Sequence, residues 1–71
     1  MSEESELAQA AASADPATGL RAVRALRRLT ERLESVQVDA ARANGWSWQA
    51  IAEELQVSRQ AVHQKHGKRK R

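Results

Sequence analysis

The sequence predicts an all-α protein, a three-helix domain with a long first helix followed by two short helices joined by a tight turn. The chain has 71 residues, without Cys, Phe or Tyr. It is rich in Ala, Leu, Arg, Glu and Gln, which are strong helix formers. The few β-branched residues never alternate with polar ones as they would in a strand. So short a chain makes one small domain at most, and its core needs idealised helix packing or oligomerisation as support.

Charge is distributed unevenly along the chain. Residues 1–15 carry four acidic side chains and no basic one, whereas residues 16–71 carry 12 basic and 5 acidic ones. A basic domain favours polyanions, nucleic acid first, although moderate positive charge also serves solubility. Because residues 1–14 have few bulky apolar side chains, we expect a disordered acidic leader, with at most a frayed helical turn at 7–12.

The first helix is predicted over residues 16–44. Asp15 and Pro16 mark its start as an N-cap acceptor followed by proline at the first helical position, and Gly45 suits the positive φ that follows a helix end. At 1.5 Å per residue the helix is roughly 40 Å long. Its apolar positions recur in steps of four and three, as in a heptad seam. These positions are Ala22, Leu26, Leu29, Leu33, Val36, Ala40 and Ala43.

The two later helices are too short to cover this seam along its whole length. We expect Val36, Ala40 and Ala43 to pack on them, which leaves the leucines before Val36 partly exposed. An uncovered leucine seam marks an interface. The sequence therefore predicts a homodimer, with these interface residues: Ala22, Leu26, Leu29 and Leu33. The alternative is a partner protein with an acidic groove, because the flanks of the seam are rich in arginine.

The second and third helices are predicted over residues 48–56 and 59–66. Ser47 and Ser58 are their N-caps, and Gly67 ends the third helix. Each cap lies inside a hydrophobic staple, a pair of apolar residues that fixes how the chain enters the helix. The staple pairs are Trp46 with Ile51 and Val57 with Val62.

The residues that connect these two helices predict that the helices pack closely, and one residue of the turn is unusual. Ala52 is small enough for the helices to approach, and four apolar side chains are expected to set the angle between them, namely Ile51, Leu55, Val57 and Val62. Gln56 stands where such turns usually carry glycine. The glutamine must therefore adopt a positive or strained φ, or else the turn differs from the usual one.

The segment 45–67 resembles the helix-turn-helix of bacterial transcription regulators and of the DNA-binding C-terminal region of sigma factors. The shared pattern is W-x-x-I-A-x-x-L-x-V-S-x-x-A-V, from Trp48 to Val62. The segment 45–67 covers about a third of the chain. With the arginine-rich helix before it, the whole resembles small actinobacterial-type helix-turn-helix proteins. The resemblance implies a cytoplasmic, nucleoid-associated transcriptional regulator that binds specific sequences of double-stranded DNA.

The resemblance also assigns roles to residues of this chain. The side chains implied to read base edges are Arg59, Gln60, His63 and Gln64. Arginine suits guanine and glutamine suits adenine, so their chemistry is competent for that role. The implied phosphate contacts are Ser47, Trp48, Gln49 and Ser58, to which the basic tail adds Lys65, Lys68, Arg69, Lys70 and Arg71. The alternatives are the polar solvent face of a helical hairpin and a solvated charged terminus.

Other classes of function have little support in the sequence. His63 and His66 lie three residues apart, but no further ligand completes a metal site, and we expect no cofactor. No arrangement of catalytic residues is recognisable, so we do not expect an enzyme. No apolar run approaches the ~20 residues that cross a membrane, and the acidic start is unlike a secretory signal. The competing functions are a protein-interaction module using the leucine face and non-specific nucleic-acid binding by the basic tail.

Overall fold

The computed structural model describes residues 2–68, and these residues form helices and no strand. Four helices follow one another along the chain: α1 (Glu3–Ala11), α2 (Pro16–Ala43), α3 (Trp48–Leu55) and α4 (Arg59–His66). The all-α prediction is confirmed. The chain divides into two compact units, the first ending at Leu33 and the second beginning at Glu34. None of the described helices combines the length and the apolar character needed to span a membrane.

Helix α1 is the main difference from the sequence prediction, which treated residues 1–14 as disordered. The Ser2 hydroxyl caps the helix by accepting a hydrogen bond from the Ser5 amide at 3.2 Å. Three glutamates occupy the first turn, where negative charge stabilises the positive end of the helix dipole. Alanines fill the remainder and favour the helix intrinsically. Local propensity and capping therefore supply what the segment lacks in bulky apolar residues.

In the first unit, α1 lies against the beginning of α2. Asp15 caps α2 as predicted, since its carboxylate accepts hydrogen bonds from the Thr18 amide at 3.1 Å and the Thr18 hydroxyl at 2.7 Å. These hydrogen bonds lower the pKa of Asp15. Gly19 is buried, and a Cβ placed on it would lie 3.4 Å from the Ala11 carbonyl oxygen. A Cβ here would make ordinary van der Waals contact, so α2 passes close to the end of α1 at this position.

This packing changes the prediction for the dimer interface. Ala22, predicted to face a second chain, is 6% exposed within this chain. Leu26 and Leu29 are partly buried, and Leu33 is 49% exposed. Ala22 is therefore already buried within its own chain, whereas Leu33 stays open, and the predicted interface as a whole remains a prediction.

The core of the second unit consists of four small apolar side chains contributed by α2, α3 and α4. They are Val38, Ile51, Ala52 and Val62, with Ala41 and Trp48 packed against them. The sequence analysis expected Val36, Ala40 and Ala43 in this place, which is wrong: Val36 is 59% exposed and both alanines are exposed. Val38 and Ala41, three residues apart, form a second apolar pair on α2, which the heptad pattern left out.

The N-caps of α3 and α4 are the two predicted serines, and the turn between these helices contains a residue with positive φ. The hydroxyls of Ser47 and Ser58 each accept a hydrogen bond, at 3.0 Å, from the amide three residues later. Gln56 adopts a left-handed conformation with φ 60° and ψ 44°, and Gly45 has φ 88°. The Val57 amide donates to the Ala52 carbonyl at 3.1 Å. The glutamine therefore takes the backbone conformation usually left to glycine.

Three apolar residues at or beside the ends of the two short helices are less buried than predicted. Trp46 is 40% exposed, Leu55 39% and Val57 47%, so they border the core without filling it. Trp46 is positioned through its backbone, since its amide donates to the Ala41 carbonyl at 2.9 Å and its carbonyl accepts from Arg42 at 2.7 Å. Trp48, which the sequence analysis assigned to a phosphate contact, packs against the core.

Replacing Gln56 with glycine should stabilise the protein. Glycine adopts the left-handed conformation without the Cβ clash that glutamine suffers, which outweighs its greater entropy in the unfolded chain. We expect the free energy of unfolding in urea to rise by about 0.5 to 1 kcal/mol. Gln37→Gly, the same change inside α2, should lower it by about 1 kcal/mol. Equal effects of the two substitutions would contradict this account of the turn.

Candidate nucleic-acid interface

The four side chains predicted to read bases lie together on the exposed side of α4. Arg59, Gln60, His63 and Gln64 are all exposed. The adjoining side of the helix carries Val62, 2% exposed, and His66, 5% exposed, one turn apart. Since helical residues one turn apart share a face, burial of these two fixes which side of α4 is presented outward. The structure therefore brings all four predicted residues onto one accessible surface.

Three of these four side chains have no partner among the described residues. No hydrogen bond or ion pair within residues 2–68 engages the side chains of Arg59, Gln60 or Gln64. His63 differs, because its ring makes an edge-to-face contact with Trp48 at a centroid distance of 5.2 Å and an interplanar angle of 83°. The amide and guanidinium groups are thus available to a ligand, and the imidazole is held in a defined orientation.

Trp48 is itself fixed by a cation–π contact that the sequence analysis missed. The guanidinium carbon of Arg42 lies 4.6 Å from the centroid of the Trp48 ring, and the same side chain donates to the Trp46 carbonyl. Arginine at the end of α2 thereby links that helix to the start of α3. No spacing rule indicates this contact, because it depends on the loop between the helices.

The predicted phosphate-contacting residues have different environments. The hydroxyls of Ser47 and Ser58 accept hydrogen bonds as caps, which leaves their own hydrogens free to donate. Gln49 donates to Glu53 at 3.2 Å within α3. Lys68 is exposed. The predicted contacts Arg69, Lys70 and Arg71 lie outside the described residues.

Lys65 is the predicted phosphate contact that the structure places elsewhere. Its ammonium nitrogen lies 3.3 Å from the Glu34 carboxylate, so it is paired with an acid on α2, although its side chain stays 49% exposed. The sequence analysis grouped Lys65 with the basic tail because of its charge alone. Its position on α4, next to the buried His66, directs it towards α2.

Glu34 also binds His66, and this buried contact was absent from the predictions. The Nε2 atom of His66 lies 2.6 Å from the same carboxylate oxygen, and the imidazole is 2% exposed. The hydrogen bond from His66 and the nearby Lys65 ammonium lower the pKa of Glu34, against a smaller opposing effect of burial. Nδ1 of His66 is buried without a partner among the described residues. Glu34 therefore ties the C-terminal end of α4 to α2.

The two histidines considered as metal ligands therefore have separate roles. His66 is bound to Glu34 in the interior, whereas His63 contacts Trp48 at the surface. The two imidazoles have different partners and share none. Among the described residues, no group of three or more His, Cys, Asp or Glu side chains is arranged to hold a metal ion.

The electrostatics of α4 favour an anionic ligand. No acidic residue occupies the first turn of α3 or α4, and the free amides of a helix start attract negative charge. The sequence from Ser58 to its end contains six basic and no acidic side chains. The part of the chain that includes α4 therefore carries a net positive charge.

Comparison with protein-family models, with curated proteins and with solved structures finds no match for this chain. Its function is therefore argued from its own residues. The relevant observations are the exposed polar face of α4, the capped turn that precedes it and the basic charge around it.

Glu34→Gln should destabilise the protein at neutral pH and reduce its sensitivity to acid. The lowered pKa of Glu34 means that its carboxylate stabilises the fold above the unfolded-state pKa, and that this contribution is lost as the pH falls through the folded-state pKa. We expect Glu34→Gln to cost about 1 to 2 kcal/mol at pH 7.

The matched control is Glu31→Gln, an exposed glutamate on the same helix. It should change the free energy of unfolding by less than about 0.5 kcal/mol. Urea unfolding across the acidic pH range measures both variants. Parallel curves for Glu34→Gln and the unsubstituted protein would exclude the proposed role of Glu34.

Proposed function

We propose that the chain binds specific sequences of double-stranded DNA through a helix-turn-helix formed by α3 and α4, and that it acts as a transcriptional regulator in the form of a homodimer. The observation that supports this most is the exposed face of α4. It presents unpaired Arg59, Gln60 and Gln64 side chains on a helix held by a small core and by Glu34. A helix with this polar face and these supports fits the major groove.

The chemistry of the exposed face suits base recognition. Arg59, at the first position of α4, can donate two hydrogen bonds to guanine O6 and N7, and Gln60 or Gln64 can pair with adenine N6 and N7. His63, oriented by Trp48, offers one further ring nitrogen to a base edge. The sequence preference of the chain would therefore depend on these four positions.

Phosphate contacts would fix the orientation of α4 in the groove. The start of α3 offers free backbone amides beside Ser47, Trp48 and Gln49, and the start of α4 offers those beside Ser58. Lys68 and the basic residues after it would add affinity that depends on salt. Lys65 is left out of this surface because it is paired with Glu34.

A homodimer is supported by the apolar side chains of α2 that the chain leaves open. Leu33 in the first unit is 49% exposed, and Val36 in the second is 59% exposed. Exposed large aliphatic residues at heptad spacing favour pairing of two helices. Two copies would present two α4 helices to half-sites about one helical turn, ~34 Å, apart. The competing proposal is that this face binds a different protein.

Arg59→Ala should weaken binding to the preferred DNA sequence and relax the preference at one base pair. Loss of a bidentate contact costs about 1 to 3 kcal/mol, or roughly 5- to 150-fold in affinity. Mobility shifts with the preferred duplex and a scrambled duplex measure this loss. Arg27→Ala, which removes an exposed arginine of the first unit, is the matched control and should retain the preference for the preferred duplex.

The same mobility-shift series separates the competing functions. Binding that has no sequence preference and disappears when residues 68–71 are deleted would identify non-specific coating by the tail. Absence of DNA binding even at low salt would exclude both nucleic-acid functions and would favour the protein-interaction module.

Leu33→Glu should convert the dimer to a monomer, because a carboxylate at a paired apolar position loses its hydration without gaining a partner. Sedimentation velocity at micromolar concentration reports the change. Leu20→Glu is the control, since Leu20 is 69% exposed and lies outside the heptad seam, and it should leave the sedimentation coefficient unchanged. A monomeric unsubstituted protein would contradict the proposed dimer.

A further inference from the structure

A row of arginines on α2 is left without a role by the proposed function. Its members occur in steps of three, four and four, which places them on one side of the helix. They are Arg21, Arg24, Arg28 and Arg32, and all are exposed. We call this set the arginine row. It extends roughly 16 Å along the helix axis, with a rise of about 5 to 6 Å from one member to the next.

The arginine row has no counter-charge within the described chain. Glu31 is the one acidic residue between positions 16 and 33. No ion pair or hydrogen bond among residues 2–68 engages an arginine of the row, although α1 in the same unit carries exposed glutamates. Elsewhere on α2, Arg42 has both a hydrogen bond and an aromatic ring as partners. The row is thus a strongly charged surface that the fold of the chain does not use.

The residue type narrows the class of ligand. All five basic residues between positions 16 and 33 are arginine, and none is lysine. Guanidinium groups bind phosphate with two parallel hydrogen bonds and stay charged at every physiological pH. A regular line of such groups matches a polymer with phosphates at regular intervals better than the scattered carboxylates of a folded protein.

We propose that the arginine row is a second DNA-binding surface, which contacts the phosphate backbone without reading its sequence. The inference rests on the proposed function in so far as that function supplies DNA as the ligand. The arginine row adds to the proposed function a separate site in the first unit, built from different residues. The chain would therefore hold DNA through base contacts of α4 and through phosphate contacts of the row.

An anionic membrane is disfavoured as the ligand by the packing of the first unit. A helix that lies in a membrane interface needs an open apolar face beside its basic face. In the described part of the first unit, Gly19 and Ala22 are buried and Leu26 and Leu29 are partly buried, which leaves Leu20, Val23 and Leu33 as its exposed large apolar side chains, too few for such a face. A phosphate backbone, in contrast, reaches the exposed guanidinium groups directly and needs no apolar face.

The experiment measures how the affinity for a duplex of about 30 bp without a preferred site falls with salt, using fluorescence anisotropy of the full chain. The test variant combines Arg21→Gln, Arg24→Gln, Arg28→Gln and Arg32→Gln, since glutamine keeps the helix propensity. Each lost phosphate contact lowers the slope of log K against log salt by about 0.9. We therefore expect the slope to decrease in magnitude by about 3 to 4 units.

Two controls separate a phosphate site from a general effect of charge or folding. The corresponding four Arg→Lys substitutions should retain the slope, because the charges remain. Arg28→Gln should lower the slope by about 0.9, whereas its neighbour Arg27→Gln, off the row, should leave it unchanged. Equal effects at positions 27 and 28, or an unchanged slope in the fourfold glutamine variant, would overturn the proposal. Circular dichroism confirms that each variant keeps its helix content.

Failure of this inference is distinguishable from failure of the proposed function. Joint Arg59→Ala, Gln60→Ala and Gln64→Ala substitution should abolish sequence preference while the contribution of the row to the salt slope persists. Row-dependent binding to phosphatidylserine vesicles or to polyglutamate, with the DNA slope unchanged by the fourfold variant, would overturn the proposal and identify a membrane or an acidic protein as the ligand.

Discussion

The second unit depends on a very small core, in which α3 and α4 are held on α2 by four apolar side chains. Ala52, 1% exposed, is the most buried member of that core, and a larger residue there would overpack it. So few buried atoms supply limited hydrophobic stabilisation. The contacts around the core therefore matter more than they would in a larger domain, above all the serine caps and the carboxylate of Glu34.

Glu34 provides a second attachment of α4 to α2, outside the apolar core. Val62 anchors the middle of the helix, and the buried hydrogen bond between His66 and Glu34 anchors its end. With α4 fixed at two points a turn apart, its exposed polar side chains keep a constant orientation. A DNA-reading helix needs this rigidity, because its base contacts require defined positions of several side chains at once.

Local signals in the sequence were sufficient for the helices from Pro16 onward. Serine caps, a proline start and Gly45 act within a few residues, so the observed ends lie within one residue of the predicted ones. Gln56 adopts the positive φ that the tightness of the turn demanded. Helix α1 was missed because the composition of its segment was given more weight than its cap and its alanines.

The tertiary contacts were harder to predict from the sequence than the ends of the helices. α2 has more than one set of apolar positions at helical spacing, and the pattern alone did not reveal that Val38 and Ala41, instead of Val36 and Ala40, face the core. The contact of Glu34 with His66 joins residues 32 positions apart, and no local rule connects them. The polar face of α4 was predictable, because Val62 already indicated which side is buried.

The central claim is that α4 reads DNA sequence, and selection of duplexes from a random pool by the purified full chain tests it most directly. The account predicts enrichment of a short motif at physiological salt, in two inverted copies whose centres lie about 10 bp apart, as a symmetric dimer requires. A pool that stays random after repeated selection, although DNA is retained at low salt, would contradict it.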